Sequence, residues 1–204
     1  MENYEKETIA AIATALSDSG IGIVRISGEN AIYIVDSIFR SASGKKILTK
    51  VQSHMIHYGY IVDKDENIID EVMTSVMKAP KSYTMEDTVE INCHGGVLVM
   101  QKVLETVLQA GARLAEPGEF TKRAFLNGRI DLSRAEAVID VIHSQNEYAL
   151  SSSVSQLKGR LSDKIRSLRE DILYQIAFIE SALDDPEHIS LEGYPEQLSV
   201  KVKK

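Results

Sequence analysis

Residues 116–142 hold the densest run of turn and helix-boundary signals in the chain, and both fold and function depend on them. Pro117 and Gly118 predict a turn, because proline fixes φ and glycine tolerates the conformation that follows. A short helix is predicted over about 119–126. Asn127 and Gly128 predict its end, with glycine supplying a left-handed C-terminal cap.

A second helix is predicted to begin shortly after this stop signal. Ser133 and Glu136 have the spacing of a capping box, in which each side chain bonds the other residue's backbone N–H group. The two helices therefore meet at a corner, residues 128–131, that presents the cationic side chain of Arg129. Taken alone, this corner fits an ordinary helix junction as well as a binding site.

Composition limits the classes of protein that the chain can form. Its 204 residues suffice for one large domain or two small ones, and 44% hydrophobic with 26% charged residues is typical of a globular protein with a buried core. The net charge of −7 disfavours nucleic-acid binding through a broad basic surface. No apolar run approaches the roughly 20 residues needed to span a bilayer.

The single cysteine, Cys93, excludes an internal disulfide framework and a multi-cysteine metal site. Together with an N-terminus that lacks the apolar segment of a signal peptide, it predicts a cytoplasmic protein. Cys93 and His94 are neighbours on a predicted strand and point to opposite faces, so we expect a buried cysteine and not a catalytic pair. The histidines show no metal-ligand spacing, and we predict neither a metal site nor a catalytic residue.

Strand and helix patterns alternate up to Pro117, whereas the pattern beyond it is wholly helical. Strands are predicted at 8–14, 21–27, 52–62, 70–78, 88–93 and 113–115, and helices at 28–39 and 97–109. We therefore predict a first domain over 1–117 and a helical domain over 118–204. One long helix is predicted over about 147–183, with apolar residues spaced by three and four that need a partner to cover them.

Two charged residues occupy unusual positions in the predicted strands. Arg25 shares a strand face with two isoleucines, and Glu90 lies between Val89 and Ile91. A buried charge is costly unless it is paired, so a structural Arg25–Glu90 ion pair is one interpretation and an edge-strand arginine that reaches water is another. The functional interpretation is that Glu90 accepts adjacent N–H donors of a heterocycle such as a pterin or guanine, with Arg25 and Arg129 meeting its acceptors or carboxylates.

Three segments, 18–28 (DSGIGIVRISG), 82–96 (SYTMEDTVEINCHGG) and 116–142, together closely resemble the N-terminal part of the MnmE (TrmE) family of tRNA modification GTPases. The resemblance runs from residue 8 to about residue 187. It implies an α+β fold, in which a mixed β-sheet with flanking helices, similar to the folate domains of aminomethyltransferases, precedes an incomplete all-α helical domain.

In this family the folate contacts fall on a strand arginine, a strand glutamate and the basic residue after Leu-Asn-Gly, which match Arg25, Glu90 and Arg129. The resemblance thus implies binding of a tetrahydrofolate derivative, 5-formyl- or 5,10-methylene-tetrahydrofolate, and homodimerisation through this domain. Some relatives have lysine at the position of Arg129, and many have glycine at that of Met85.

The family's reaction attaches an aminomethyl-type group to C5 of the wobble uridine in tRNA, together with the flavoprotein MnmG (GidA). Its GTP, magnesium and potassium sites belong to a GTPase domain, and this chain contains no GxxxxGK[ST] motif. We therefore expect a fragment without GTPase activity. The alternatives are a stand-alone folate-dependent one-carbon transferase and a non-catalytic dimerisation module in which Arg25 and Glu90 form only a salt bridge.

Overall fold

A computed structural model describes residues 7–202 and divides the chain into two compact units, residues 1–130 and 131–204. The sequence places the domain boundary earlier, after residue 117. The intervening helix belongs to the first unit because Arg123 is buried there and donates a hydrogen bond to the Glu7 carbonyl at 2.8 Å.

The first unit is α+β, as predicted. Seven strands form one sheet in the order β3-β4-β5-β6-β2-β1-β7, in which only the β1–β7 pair is parallel among the described strands. The strands are β1 (Ile9–Ile12), β2 (Ser19–Ser27), β3 (Phe39–Ser41), β4 (Met55–Val62), β5 (Ile68–Met77), β6 (Thr88–Gly95) and β7 (Arg113–Leu114). The helices are α1 (Ala31–Ile38), α2 (Val97–Gln109) and α3 (Glu119–Leu126), with a 3-10 turn at Leu48–Lys50.

The hydrophobic core lies between one face of this sheet and helices α1 and α2. Alternate residues of β2 and β6, such as Val24 and Ile91, are fully buried in it because successive strand side chains point to opposite faces. Gly22 lets α2 approach closely, since a Cβ atom there would collide with the side chain of Met100. The other face of the sheet carries Arg25 and Glu90 and is partly open.

The second unit is wholly helical: α4 (Leu132–His143), α5 (Glu147–Leu157), α6 (Arg160–Asp184) and α7 (Tyr194–Val202). The prediction of one helix over 147–183 is wrong, because the helix is interrupted at Gly159, whose φ of +88° lies in the left-handed region. Arg134 stabilises this break by donating from Nη2 to the Lys158 carbonyl at 3.4 Å.

The predicted capping role of Ser133 is also wrong, because Asp131 caps α4. Its Oδ1 accepts from the Arg134 N–H at 2.9 Å and from the Ser133 hydroxyl at 2.7 Å, while its Oδ2 accepts from Ser162 at 2.7 Å. Burial alone would raise the pKa of Asp131, but these hydrogen bonds outweigh it and lower the pKa to about 2. The cap therefore also joins the start of α4 to α6.

Among residues 7–202, no helix combines the length and the apolar character that a membrane span requires. The same residues contain no group of three or more His, Cys, Asp or Glu side chains arranged to hold a metal ion.

Candidate functional site

Arg25 and Glu90 are direct cross-strand partners on β2 and β6. Arg25 Nε lies 2.8 Å from Glu90 Oε1, and the two side chains are 29% and 22% exposed. The ion pair that the sequence offered as a structural alternative is therefore formed. It lies near the surface, and both side chains remain partly exposed.

Two aromatic rings surround the Arg25 guanidinium. Its Cζ lies 5.6 Å from the centre of the Tyr83 ring and 5.7 Å from that of Phe120. Both distances are within the range of cation–π attraction. Tyr83 comes from the loop before β6 and Phe120 from the first turn of α3, so loop, helix and sheet converge at Arg25.

Arg129 reaches the same place from the corner after α3. Its Cζ lies 4.8 Å from the centre of the Tyr83 ring. Gly128 adopts the left-handed conformation predicted for it, with φ of +77°, and the Arg129 N–H then donates to the Ala124 carbonyl at 2.9 Å. The structure therefore brings Arg129 and the Arg25–Glu90 pair to the same tyrosine ring.

The loop that carries Tyr83 is held by hydrogen bonds to α3 and to its C-terminal corner. The Tyr83 hydroxyl lies 3.0 Å from Thr121 Oγ1, and Asn127 Nδ2 donates to the Thr84 carbonyl at 2.7 Å. Met85 has φ of +62°, a conformation that glycine adopts without steric cost. Glycine would therefore be less strained than methionine at position 85.

A buried charge network ties α3 to the rest of the first unit. Glu119 accepts hydrogen bonds from Arg113 Nη2 at 2.6 Å, from the Glu116 N–H at 2.8 Å and from Arg123 Nη2 at 3.1 Å. Burial alone would raise the pKa of Glu119, but these bonds outweigh it and lower the pKa to about 2. The network positions the helix that carries Phe120.

Arg123 extends this network to the tyrosine loop. It is 5% exposed, and its Nη1 donates to both carboxylate oxygens of Glu86 at 3.2 Å. Glu86 Oε2 in turn accepts from the Ser27 hydroxyl on β2 at 2.7 Å. Sequence reasoning missed Tyr83, Phe120 and Arg123, although all three lie in the segments that carry the family resemblance.

Cys93 and His94 take no part in this cluster and do not pair. Cys93 is buried with its Sγ donating to the Gly22 carbonyl at 3.4 Å, and burial raises the pKa of its thiol to about 11. His94 Nδ1 lies 2.7 Å from Asp70 Oδ1, and this hydrogen bond raises the pKa of His94. The buried-cysteine interpretation matches the structure.

Comparison with known proteins defines the class to which this fold and cluster belong. Residues 8–129 match the family model described as GTP-binding protein TrmE N-terminus, and residues 132–204 match the MnmE helical domain. The chain therefore combines a region that matches the TrmE N-terminus with a region that matches the MnmE helical domain. It belongs to the MnmE (TrmE) family.

Individual relatives agree with this assignment. The chain is 64% identical over 192 residues to the tRNA modification GTPase MnmE of Lachnoclostridium phytofermentans, covering 94% of the chain and 42% of the relative. It is 56% identical over 189 residues to that of Geobacillus kaustophilus (92% and 41%) and 50% identical over 196 residues to that of Bacillus subtilis (96% and 42%). The chain thus spans about two fifths of the length of these relatives.

Proposed function

We propose that the first unit binds a tetrahydrofolate one-carbon donor at Arg25, Glu90 and Arg129, as part of a tRNA modification GTPase. The observation that carries the proposal is the convergence of these three residues around Tyr83. The residues come from two strands and a helix corner that are far apart in sequence. If Arg25 and Glu90 paired only to stabilise the fold, the position of Arg129 beside the same tyrosine ring would have no explanation.

Glu90 has the hydrogen-bonding capacity that a pterin needs. Within residues 7–202 its carboxylate accepts one hydrogen bond, from Arg25 Nε. An ionised carboxylate accepts about four, so the second oxygen is available for the adjacent N–H donors of a heterocycle. Glu90 would therefore orient the ring system of the ligand.

Arg25 and Arg129 suit the anionic part of a folate. Their guanidinium carbons lie 5.6 Å and 4.8 Å from the centre of the same tyrosine ring. Either guanidinium would donate charge-assisted hydrogen bonds to a carboxylate of the ligand. The bound 5-formyl- or 5,10-methylene-tetrahydrofolate would supply the one-carbon unit.

We further propose that the first unit forms a homodimer. Large apolar side chains on the open face of the sheet are exposed by 47–63%: Ile21, Ile56, Tyr58 and Met73. An exposed group of this kind is typical of an interaction surface. A second copy of the chain would remove these side chains from water.

The remaining activity belongs to the longer protein. We propose that it forms the (carboxymethyl)aminomethyl group at C5 of the wobble uridine in tRNA, together with the flavoprotein MnmG. GTP, magnesium and potassium would be bound outside residues 1–204, and this chain alone would not hydrolyse GTP. We place the protein in the cytoplasm, where the thiol of Cys93 stays reduced.

The proposal is tested by calorimetric titration of the chain with 5-formyltetrahydrofolate. We expect binding by the parent chain, and at least tenfold weaker binding by the Glu90→Gln and Arg129→Ala variants. Glu71→Gln, on the neighbouring strand β5, is the matched control and should bind like the parent. A folded parent chain that does not bind would refute the folate site.

The interaction-module alternative is favoured by one observation, the Arg25–Glu90 ion pair itself. The charge swap Arg25→Glu/Glu90→Arg separates a structural role of the pair from a folate-binding role. The swap retains an ion pair across β2 and β6, but it reverses the charges offered to a ligand. A structural role alone predicts that the swap restores stability and that no folate binds to the parent. A folate site predicts that the swap abolishes binding even where stability returns.

A further inference from the structure

Glu90 has a cross-strand neighbour on each side in the sheet, because β6 lies between β2 and β5. It is directly opposite Arg25 on β2 and directly opposite Ser75 on β5. Directly opposed residues share one face of a sheet, with their Cβ atoms about 4.5–5.5 Å apart in an antiparallel pair. Arg25, Glu90 and Ser75 therefore form one row across three strands of the open face, with the carboxylate in the middle.

Both outer members of this row have hydrogen-bond donors available. Among residues 7–202 the Arg25 guanidinium donates one hydrogen bond, from Nε to Glu90, so its two Nη groups remain available. The Ser75 side chain is partly exposed, and its hydroxyl makes no hydrogen bond to the described part of the chain. A serine hydroxyl can donate one hydrogen bond. The row thus presents a donor, a carboxylate and a second donor, in that order.

The neighbouring row on the same face differs, because its polar groups satisfy one another. Ser27 and Thr88 are directly opposed and buried, and Thr84 Oγ1 lies 2.6 Å from Ser27 Oγ and 3.3 Å from Thr88 Oγ1. The Ser27 hydroxyl also donates to Glu86 at 2.7 Å. The row of Glu90 is therefore where the closed part of this face ends and donors without a protein partner begin.

A pterin ring has an edge that matches the order of groups in this row. Its N3–H and 2-amino groups are adjacent donors, and an acceptor flanks them on each side: the C4 oxygen beside N3, and the ring nitrogen N1 beside the amino group. The two oxygens of Glu90 can accept from the two donors. A protein donor on each side of the carboxylate would then meet the two flanking acceptors.

We propose that Ser75 is a further ligand-binding residue, which donates a hydrogen bond to one of the two acceptors that flank the donor edge of the pterin, while Arg25 donates to the other. This inference rests on the proposed folate site. It names the part of the ligand that the sheet recognises, the 2-amino-4-oxo pyrimidine ring. Arg129 is then left to bind a carboxylate of the ligand.

Two variants of nearly equal shape isolate the Ser75 hydroxyl. Ser75→Thr keeps it and Ser75→Val lacks it, and both β-branched side chains suit a strand. In calorimetric titration with 5-formyltetrahydrofolate, Ser75→Thr should bind like the parent chain. Ser75→Val should bind about three- to tenfold more weakly, the loss expected for one neutral hydrogen bond. The two variants should be equally stable in urea denaturation, since the hydroxyl has no partner in residues 7–202.

The preceding residue provides the matched control. Thr74 faces the core, is fully buried, and its Oγ1 also lacks a hydrogen-bond partner in the described part of the chain. Thr74→Val should therefore bind folate like the parent. The fragment 6-methyltetrahydropterin has the ring and lacks the aminobenzoyl-glutamate part of a folate. It should show the same ratio of affinities between Ser75→Thr and Ser75→Val as the whole ligand.

The outcomes separate the role of Ser75 from the folate site itself. Suppose that the parent chain binds folate and Glu90→Gln weakens binding. Equal binding by Ser75→Thr and Ser75→Val would then overturn the role of Ser75 and retain the folate site. A ratio that appears with the whole folate and vanishes with the ring fragment would place Ser75 beside the tail of the ligand, and would also overturn the proposal. A folded parent chain that binds no folate would overturn both.

Discussion

Acid is expected to destabilise the first unit through Glu119, because the carboxyl group binds a proton more readily in the unfolded chain than in the native fold. Glu119 is 8% exposed and accepts hydrogen bonds from Arg113, Arg123 and the backbone of Glu116. These bonds lower its pKa from 4.5 to about 2. The native state therefore favours the ionised carboxylate more strongly than the unfolded chain does.

The sign and size of the effect follow from linkage between protonation and folding. A lowered pKa contributes stability that is fully present above the unfolded value near 4.5 and is lost as the pH falls toward 2. Each pKa unit corresponds to about 1.4 kcal/mol, so the full contribution is roughly 3 kcal/mol. Most of it should disappear between pH 5 and pH 2.

The assay is urea denaturation at several pH values between 6 and 3, comparing the parent with Glu119→Gln. At pH 6 the variant should be less stable by roughly 3 kcal/mol, because a neutral amide removes the carboxylate charge that Arg113 and Arg123 both contact. The difference should narrow as the pH falls. Glu105→Gln, exposed on α2, is the control and should follow the parent at every pH. A gap between parent and Glu119→Gln that is the same at pH 6 and pH 3 would refute this reasoning.

Three further predictions concern the loops and turns. Met85→Gly should be about 1 kcal/mol more stable than Met85→Ala in thermal melts, because both lose the same side chain and only glycine accepts the positive φ without strain; equal stability would contradict this. Asn127→Ala should lower the free energy of unfolding by about 1 kcal/mol, because it removes the hydrogen bond to the Thr84 carbonyl, and urea denaturation measures this loss. The variant should also bind folate more weakly in calorimetric titration, because the Tyr83 loop is held less firmly. Unchanged folate binding would show that this hydrogen bond does not support the site. Gly159→Ala and Gly128→Ala should each cost roughly 1–2 kcal/mol in urea denaturation, because alanine is strained at a positive φ. At position 159 the added Cβ would also displace the guanidinium end of Arg134, and a much larger cost there would show that this side chain cannot move aside.

Local signals in the sequence were sufficient for most elements of the first unit. Helices α2 and α3 span the predicted residues 97–109 and 119–126, and the β4–β5 hairpin lies close to its predicted position. Strand alternation also put Arg25 on one strand face with two isoleucines, whereas the fold decides which face meets the core. These features depend on neighbouring residues alone, since periodicity and turn residues act over a few positions.

The tertiary structure decided what depends on residues distant in sequence. The break between α5 and α6 at Gly159 is stabilised by the guanidinium of Arg134. The start of α4 is capped by Asp131, which also accepts a hydrogen bond from Ser162. Apolar spacing continues across Gly159, and this pattern outweighed the local stop signal that the glycine itself provides.

The candidate site shows the same division between local sequence signals and tertiary structure. The sequence selected Arg25, Glu90 and Arg129, through unusual charge placement and family resemblance, as the residues of a folate site. That these residues meet around Tyr83, and that Glu119 and Arg123 hold the helix beside them, required the three-dimensional fold. Distances across a sheet and between a loop and a helix are set by packing of the whole core, which no local pattern encodes.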